Sequence, residues 1–338
     1  MADPLDISLI IPARDEEESI PELSQWITRV MEANGYSYEV IFIDDGSSDK
    51  TWEQIKKVSL VNSSFKGLRF NRNFGKSAAL QTGFRKAHGD VVITMDADLQ
   101  DSPDEIPELF KMVKEQGYHL VSGWKKKRHD PLSKTIPSKF FNYVTRKISG
   151  INLHDFNCGL KAYDVSVVKN ISVYGDMHRY IPVIAKWAGF TRITEKVVAH
   201  YERKYGHSKF GWRRLISGFL DLLSITFVGR FRRKPMHFFG TLGIISFLLG
   251  FIFTVRIFWE KFDALFISKI PIKRDIVDQP LFYLALVALV VGVQLFLTGF
   301  LAEMLTMQSI SKRDYLVIDK IGIKDTVTET PTLASSVR

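Results

Sequence analysis

The sequence has 338 residues, enough for one large domain with an appendage, and a net charge of +9. Its single cysteine, Cys158, excludes an internal disulfide and fits a reducing compartment. A basic chain would also suit nucleic acid, but the sequence contains no nucleic-acid-binding motif, so no nucleic-acid partner is expected.

The chain up to about residue 205 alternates short β-branched runs with polar helical stretches. The runs ISLIIP, EVIFIDDG and DVVITMDAD are predicted strands, and ESIPELSQWITRVMEANG is a predicted helix between the first two. This alternation is typical of an α/β domain with a mainly parallel sheet. We therefore predict one α/β domain over residues 1–210.

Each predicted strand runs directly into acidic residues. In an open α/β sheet the ligand lies outside the carboxyl ends of the strands, so these acids are predicted to gather at one site. Asp96 and Asp98 are two residues apart and point the same way if the extended geometry persists. Two carboxylates on one side repel each other unless a cation lies between them. With the amide oxygen of Gln100 nearby, a hard divalent cation is the predicted ligand.

The alternative is an acidic turn whose residues cap the helix that begins in DSPDEIPELF. Asp101 or Ser102 would then be the N-cap and Pro103 the first helical residue. We assign the capping role to Asp101 and Asp104, which leaves the metal interpretation for Asp96 and Asp98. A further segment, RFNRNFGKSAAL, places Lys76 at the start of a small-residue helix that could receive phosphate charge.

Two apolar segments follow, at residues 236–255 and 281–302, and neither contains a formal charge. A helix of about twenty residues crosses a hydrocarbon core of about 30 Å. A buried core hairpin is the alternative, but two such lengths in one small protein favour two membrane spans within residues 235–303. The stretch from Arg203 to Lys234 carries nine Lys or Arg residues against one acid. The positive-inside bias therefore predicts an inner-membrane protein whose catalytic domain and tail, residues 304–338, are cytoplasmic.

The segment before the first span, residues 211–234, has basic ends around a Leu/Phe/Ile stretch. This pattern favours an amphipathic helix lying in the membrane interface, where cations meet anionic headgroups. An ordinary packing helix is the alternative. The membrane is thus a predicted partner, and we also expect a homo-oligomer.

The strand ends resemble a known family. IPARDEEESI, FIDDGSSDKT, RNFGKSAAL and MDADLQDSP, in that order and spacing, are similar to the motifs of family 2 glycosyltransferases. DFNCGLKAYD, MHRYIPVIA and YGHSKFGWRRLISGFLDLL, followed by two apolar segments, resemble the narrower polyprenyl-phosphate glycosyltransferases, which include dolichyl-phosphate mannose synthases. The resemblance runs from about Ile7 to Ala302. It implies a GT-A (Rossmann-like) α/β domain followed by an interfacial helix and two transmembrane helices.

The resemblance also implies an activity. It is the inverting, metal-dependent transfer of one sugar from a UDP- or GDP-sugar to undecaprenyl or dolichyl phosphate. The QxxRW motif of processive synthases is absent, which argues for a single transfer. By resemblance the Mg²⁺ or Mn²⁺ and the diphosphate are held by Asp96, Asp98 and Gln100. The nucleotide-sugar pocket would be lined by Pro12, Ala13, Glu16, Asp44, Asp45, Lys76, Asp96, Ala97 and Asp98, with Asp44 or Asp45 accepting hydrogen bonds from base or ribose.

A lipid phosphate, with a second pKa near 6, is already a nucleophile at neutral pH, so the site needs cations more than a base. Candidate phosphate ligands are Lys125, Arg128, Lys134, Ser138, Arg179, Arg203, Ser208 and Lys209. Arg203 and Lys209 match the family pattern and precede the interfacial segment. Asp155 occupies a position where the family keeps an acid often called the base, and we assign it a role in orienting donor hydroxyls or acceptor-site cations. His178 is interpreted as structural.

Two other functions remain open from the sequence. Transfer of sugar to a lipid hydroxyl would need a base and therefore an essential Asp155. A membrane scaffold with a degenerate transferase domain would need no intact site, and the intact DDGS, DxD and HSK motifs speak against it.

Overall fold

The computed structural model describes residues 5–126, 132–202, 204–205, 235–268 and 275–310, with side chains left undescribed at 132–140 and 306–310. The chain divides into two compact units, Met1–Arg232 and Arg233–Arg338. The predicted interfacial helix at 211–234 and nearly all of the tail lie outside the described residues.

The first unit is built on a seven-stranded mixed sheet in the order β3-β2-β1-β4-β6-β5-β7. Strand β6 runs antiparallel to both neighbours, and the other pairings are parallel. The strands are β1 Ile7–Ala13, β2 Tyr38–Asp44, β3 Phe65–Arg69, β4 Val91–Thr94, β5 Leu120–Trp124, β6 Lys161–Asp164 and β7 Ile193–Val197. The predicted α/β class with a mainly parallel sheet is confirmed.

Helices cover the sheet. They are α1 Ser19–Asn34, α2 Thr51–Val61, α3 Lys76–Lys86, α4 Ile106–Lys114, α5 Leu132–Ser149, α6 Val165–Asn170 and α7 Ile181–Trp187. Strand β1 is buried on both faces: Leu9 and Ile11 belong to one core cluster, whereas Ile10 belongs to another. A parallel strand covered by helices on both sides needs such a continuous apolar run, which is why ISLIIP has no polar alternation beyond Ser8.

The strand order reverses between β1 and β4: β2 and β3 lie on one side of this parallel pair, and β6, β5 and β7 lie on the other. Such a switch point opens a crevice outside the carboxyl ends of the two strands. The turn after β2 approaches this crevice closely. Gly46 has φ +69°, and a Cβ there would lie 2.5 Å from the carbonyl carbon of Arg72. Only glycine therefore permits the turn after β2 to pack on the loop before α3.

The second unit contains two long apolar helices, Pro235–Phe262 and Pro280–Ile310. By length and composition both helices are able to cross a membrane. They pack closely through glycines, because a Cβ at Gly243 or Gly250 would lie 2.8 Å from backbone atoms of the other helix. The same holds for Gly292, at 2.7 Å.

Polar contacts join the two helices as well. Ser246 donates to the carbonyl of Ala288 at 2.8 Å. The amide of Met236, near the start of the first helix, donates to the carboxylate of Glu303 at 3.2 Å. Because the first amides of a helix have no partner within it, Glu303 acts as a cap supplied by the neighbouring helix.

Candidate active site

A cavity of about 520 Å³ opens at the switch point between β1 and β4. Five structural regions contribute to it: the end of β1, the end of β4, the turn after β2, the start of α3 and the turn before α7. Its lining residues are Pro12, Ala13, Arg14, Glu16, Asp45, Asn73, Gly75, Lys76, Asp96, Ala97, Asp98, Asp176, His178 and Arg179. The acids that follow the three predicted strands therefore do meet at one edge of the sheet.

Asp96 and Asp98 line the cavity together, as the sequence spacing predicts. The chain then turns sharply at Leu99, which is buried and has φ +61°, a left-handed conformation that is costly for a side chain with a Cβ. Beyond this turn Gln100 makes two hydrogen bonds with Tyr201. The side-chain Nε2 of Gln100 donates to the Tyr201 backbone carbonyl at 3.4 Å, and the Gln100 backbone carbonyl accepts from the Tyr201 amide at 3.0 Å. The structure thus does not bring Gln100, a predicted metal ligand, to the cavity.

Lys76 is the first residue of α3, and its ammonium forms an ion pair with the Asp96 carboxylate. Burial disfavours the charge on Asp96, but Lys76 outweighs it, with help from Lys125 and Lys161, and lowers the pKa of Asp96 to about 2. Asp96 is therefore ionised at neutral pH. Lys76 lines the cavity, and its place beside a nucleotide stays a prediction from the sequence.

Gly159 packs directly against Asp96. A Cβ at Gly159 would lie 2.5 Å from Oδ2 of Asp96, closer than any ordinary contact. The Gly159 carbonyl accepts a hydrogen bond from the Thr94 hydroxyl at 2.8 Å, which ties this segment to the end of β4. Because glycine has no Cβ, Gly159 leaves space for the Asp96 carboxylate.

The two acids of the DDGS turn have different surroundings. Asp45 lines the cavity and accepts hydrogen bonds from the amides of Phe74, at 2.7 Å, and Gly75, at 3.0 Å. Asp45 therefore holds the loop before α3 in place. Asp44 is fully buried, forms an ion pair with Arg69 at 3.2 Å, and does not line the cavity. Alternation along β2 explains the difference, because consecutive side chains point to opposite faces.

Neither Asp155, which is buried, nor Lys125, which is partly buried, belongs to the lining of the cavity. Asp155 accepts from the amide of Asn157 at 3.0 Å. Lys125 forms an ion pair with Asp101 at 2.7 Å. The sequence predicts Asp101 as the cap of the following helix, but the Ser102 hydroxyl is the cap and accepts a hydrogen bond from the Asp104 amide. Although burial opposes the charge, Asp101 raises the pKa of Lys125.

The sequence interpretation missed Lys161, a buried lysine on β6 whose ammonium donates to the Cys158 carbonyl. Burial lowers the pKa of Lys161 and raises the pKa of the neighbouring Cys158 thiol to about 12. Lys161 is the first residue of β6, and the sequence alone does not show that Asp96 and Asp155 lie near it in the fold.

Arg179 lines the cavity, as do Asp176 and His178, on the turn before α7. The Ser77 hydroxyl accepts from the His178 amide and also lies 3.0 Å from its Nδ1. Burial, together with Lys76 and Arg179, lowers the pKa of His178, so the ring is neutral at neutral pH. Asp176 and Arg14 also line the cavity but were not predicted as site residues from the sequence. Asn73 and Gly75 were recognised only as part of the RNFGK segment.

The side chains of several residues predicted to bind the acceptor phosphate lie outside the described part of the structure. Arg128, Arg203, Ser208 and Lys209 lie outside the described residues. Lys134 and Ser138 lie on α5, at positions whose side chains are not described. Their roles stay predictions from the sequence.

The carboxylates of Asp96 and Asp98 fit a hard divalent cation, because both face one polar cavity and Asp96 is ionised. Among the described residues no group of three or more His, Cys, Asp or Glu side chains gathers to hold a metal. Two carboxylates fill only part of an octahedral shell. The other positions would be taken by water or by oxygens of a bound ligand.

The chain is similar to known proteins over most of its length. Residues 8–172 match the family model "Glycosyl transferase family 2". Dodecaprenyl-phosphate galacturonate synthase of Rhizobium johnstonii is 36% identical over 89% of this chain and 88% of its own length. Undecaprenyl-phosphate 4-deoxy-4-formamido-L-arabinose transferase of Aeromonas hydrophila is 34% identical over 88% of this chain and 87% of its own length.

The chain belongs to glycosyl transferase family 2, as the sequence motifs predicted, and is a glycosyltransferase. Among solved structures, glucosyl-3-phosphoglycerate synthase from Mycobacterium tuberculosis superposes with a TM-score of 0.51 at 18% identity. The superposition covers 65% of this chain and 80% of that one. Another structure of that synthase, also with a TM-score of 0.51, contains Mn²⁺ and UDP-glucose. The predicted GT-A fold is confirmed.

Proposed function

We propose that the protein transfers one sugar from a nucleotide diphosphosugar to a polyprenyl phosphate, with inversion and with a divalent cation, at the cytoplasmic face of the membrane. The observation that carries the proposal is the cavity at the switch point, where the carboxylates of Asp96 and Asp98 line the same space as Lys76 and Arg179. Two apolar helices and the names of the relatives support a lipid-linked acceptor.

The charges of the cavity match the donor. A nucleotide sugar has a diphosphate leaving group that accumulates negative charge as the glycosidic bond breaks. A cation held by Asp96 and Asp98 would supply Lewis-acid neutralisation of that charge. Lys76 and Arg179 add positive charge from the start of α3 and the turn before α7. The end of β1 and the loop held by Asp45 complete the lining, where the nucleoside would lie.

The acceptor needs no base, since a phosphate is ionised at neutral pH. One of its oxygens attacks the anomeric carbon as the bond to the diphosphate oxygen breaks, and the nucleoside diphosphate leaves. A single displacement of this kind inverts the anomeric configuration. We propose an orienting role for Asp155, and its burial and its hydrogen bond from the Asn157 amide support a fixed position for this carboxylate.

The test is a donor screen with the purified full chain in detergent. UDP- and GDP-sugars, including uronates and amino sugars, are offered with undecaprenyl phosphate and Mn²⁺, and the lipid is analysed by mass spectrometry. We expect one lipid product, heavier by one sugar residue, whose formation stops in excess EDTA. Undecaprenol serves as the matched acceptor that has a hydroxyl in place of the phosphate. Transfer to undecaprenol alone, or transfer unaffected by EDTA, would contradict the proposal.

The proposed topology has its own test. In a chain with Cys158→Ala, Ser268 and Ser335 are changed to cysteine one at a time and labelled in intact cells with a membrane-impermeant maleimide. Ser268 follows the first apolar helix, so we expect labelling at position 268 only, because the hairpin returns the tail to the cytoplasm. Permeabilised cells provide the control, in which position 335 should also react. Labelling of position 335 in intact cells would reject this topology.

A further inference from the structure

The ion pair between Lys76 and Asp96 lies where the proposed function needs a cation. Both side chains line the cavity and are about one third exposed, so neither is locked in the core. Asp96 is also one of the two carboxylates that would hold the metal. In the structure its charge is already balanced by a lysine from a different element.

The backbone that carries Lys76 is held firmly. The amides of Phe74 and Gly75 donate to Asp45, so the start of α3 is fixed to the turn after β2. A lysine side chain on a fixed backbone can still move its ammonium by several ångströms through its four rotatable bonds. Lys76 is therefore able to change partners within the cavity without any movement of the helix.

We propose that Lys76 is an exchangeable counter-ion: it neutralises Asp96 while the site is empty and moves to the donor diphosphate when the cation and the nucleotide bind. The inference rests on the proposed function, because it needs a divalent cation at Asp96 and Asp98. It follows that Lys76 competes with the metal for Asp96 in the absence of nucleotide and favours the donor in its presence.

Electrostatics supports this exchange. With Lys76 on Asp96, a divalent cation approaching alone meets a neutralised carboxylate and a nearby positive charge. When the diphosphate binds as well, it offers oxygens both to the cation and to the displaced ammonium, so no charge is left without a partner. The described residues offer no third carboxylate, histidine or thiolate grouped with these two, which again favours joint binding of metal and nucleotide.

The experiment measures Mn²⁺ binding to the purified full chain by electron paramagnetic resonance of the unbound ion, with and without UDP or GDP. Lys76→Gln removes the charge and keeps most of the side-chain length. Lys86→Gln, at the exposed C-terminal end of the same helix, is the matched control. Circular dichroism confirms that both variants are folded.

We expect Lys76→Gln to bind Mn²⁺ alone about three- to tenfold more tightly than the wild type. The gain is modest because water screens an ion pair that is one third exposed. The affinity of Lys76→Gln for UDP or GDP in saturating Mn²⁺ should fall about tenfold, since a charge-assisted contact with the diphosphate is lost. Lys86→Gln should leave both affinities unchanged. The opposite signs of the two effects are the signature of partner exchange.

Two results would overturn the inference, and they differ in what else they affect. If wild type binds Mn²⁺ with nucleotide but Lys76→Gln gains no affinity for Mn²⁺ alone, the exchange is wrong and the proposed function stands. If no Mn²⁺ binds to the wild type with either nucleotide, the metal-dependent function fails together with the inference.

Discussion

Replacing Asp98 by alanine is expected to abolish sugar transfer while leaving the fold intact. Asp98 lines the cavity at the end of β4, outside the buried core clusters, so its removal costs little packing. It takes away one of two carboxylates proposed to hold the cation that neutralises the leaving diphosphate. Lewis-acid stabilisation of this kind is worth several kcal/mol, so kcat should fall by about a thousandfold or more.

The measurement is the rate of sugar-lipid formation at saturating donor and acceptor, with thermal unfolding measured on the same samples. Glu53→Ala provides a control, because Glu53 is an exposed acid on α2 and does not line the cavity. That variant should keep the wild-type rate. Near-normal transfer by the Asp98→Ala protein would contradict the metal assignment at β4.

Changing Gly159 to valine should be the second most damaging substitution at the site. A Cβ at this position would lie 2.5 Å from the Asp96 carboxylate, and valine adds two further methyl groups. Asp96 would have to move, and a displacement of about 1 Å at a reacting centre can cost a hundredfold in rate. We expect kcat to fall about a hundredfold, with a weaker affinity for Mn²⁺ measured in the presence of UDP or GDP.

A merely structural role for Gly159 predicts a different pattern. It would lower the unfolding temperature and leave the metal affinity of the folded fraction unchanged. Asn157→Ala, two residues earlier and exposed, is the matched control and should retain activity and metal affinity. Partial recovery of the valine variant at high Mn²⁺ concentration would locate the defect at Asp96, whereas unchanged Mn²⁺ affinity would refute the positioning role.

The sequence predicted the position of the site because strand ends obey simple rules. Apolar runs that stop at acids identified the carboxyl ends of β1, β2 and β4, and parallel pairing then brings those ends to one edge. The short edge strand β3, with the sequence FKGLR, was not predicted because its faces are only partly buried and its residues lack a clear pattern.

The roles of individual residues at the site depend on contacts between segments that are distant in the sequence. Nothing in the letters DD distinguishes buried Asp44, paired with Arg69, from Asp45, which faces the cavity. Gln100 follows a left-handed Leu99, and left-handed leucines are too rare to be expected from sequence. Lys161 was missed for a related reason, since the charges that surround it lie on other elements.

The glycine contacts between the two apolar helices limit how this part of the chain can vary. At Gly243, Gly250 and Gly292 the opposing backbone leaves no volume for even a methyl group. The outward residues, such as Leu286 and Phe251, are about half exposed and would meet only lipid chains, which accept any apolar shape. Random substitution of the hairpin should therefore be tolerated on its outer faces and rejected at these three glycines, so that a helix pair rich in interchangeable residues still has one fixed register.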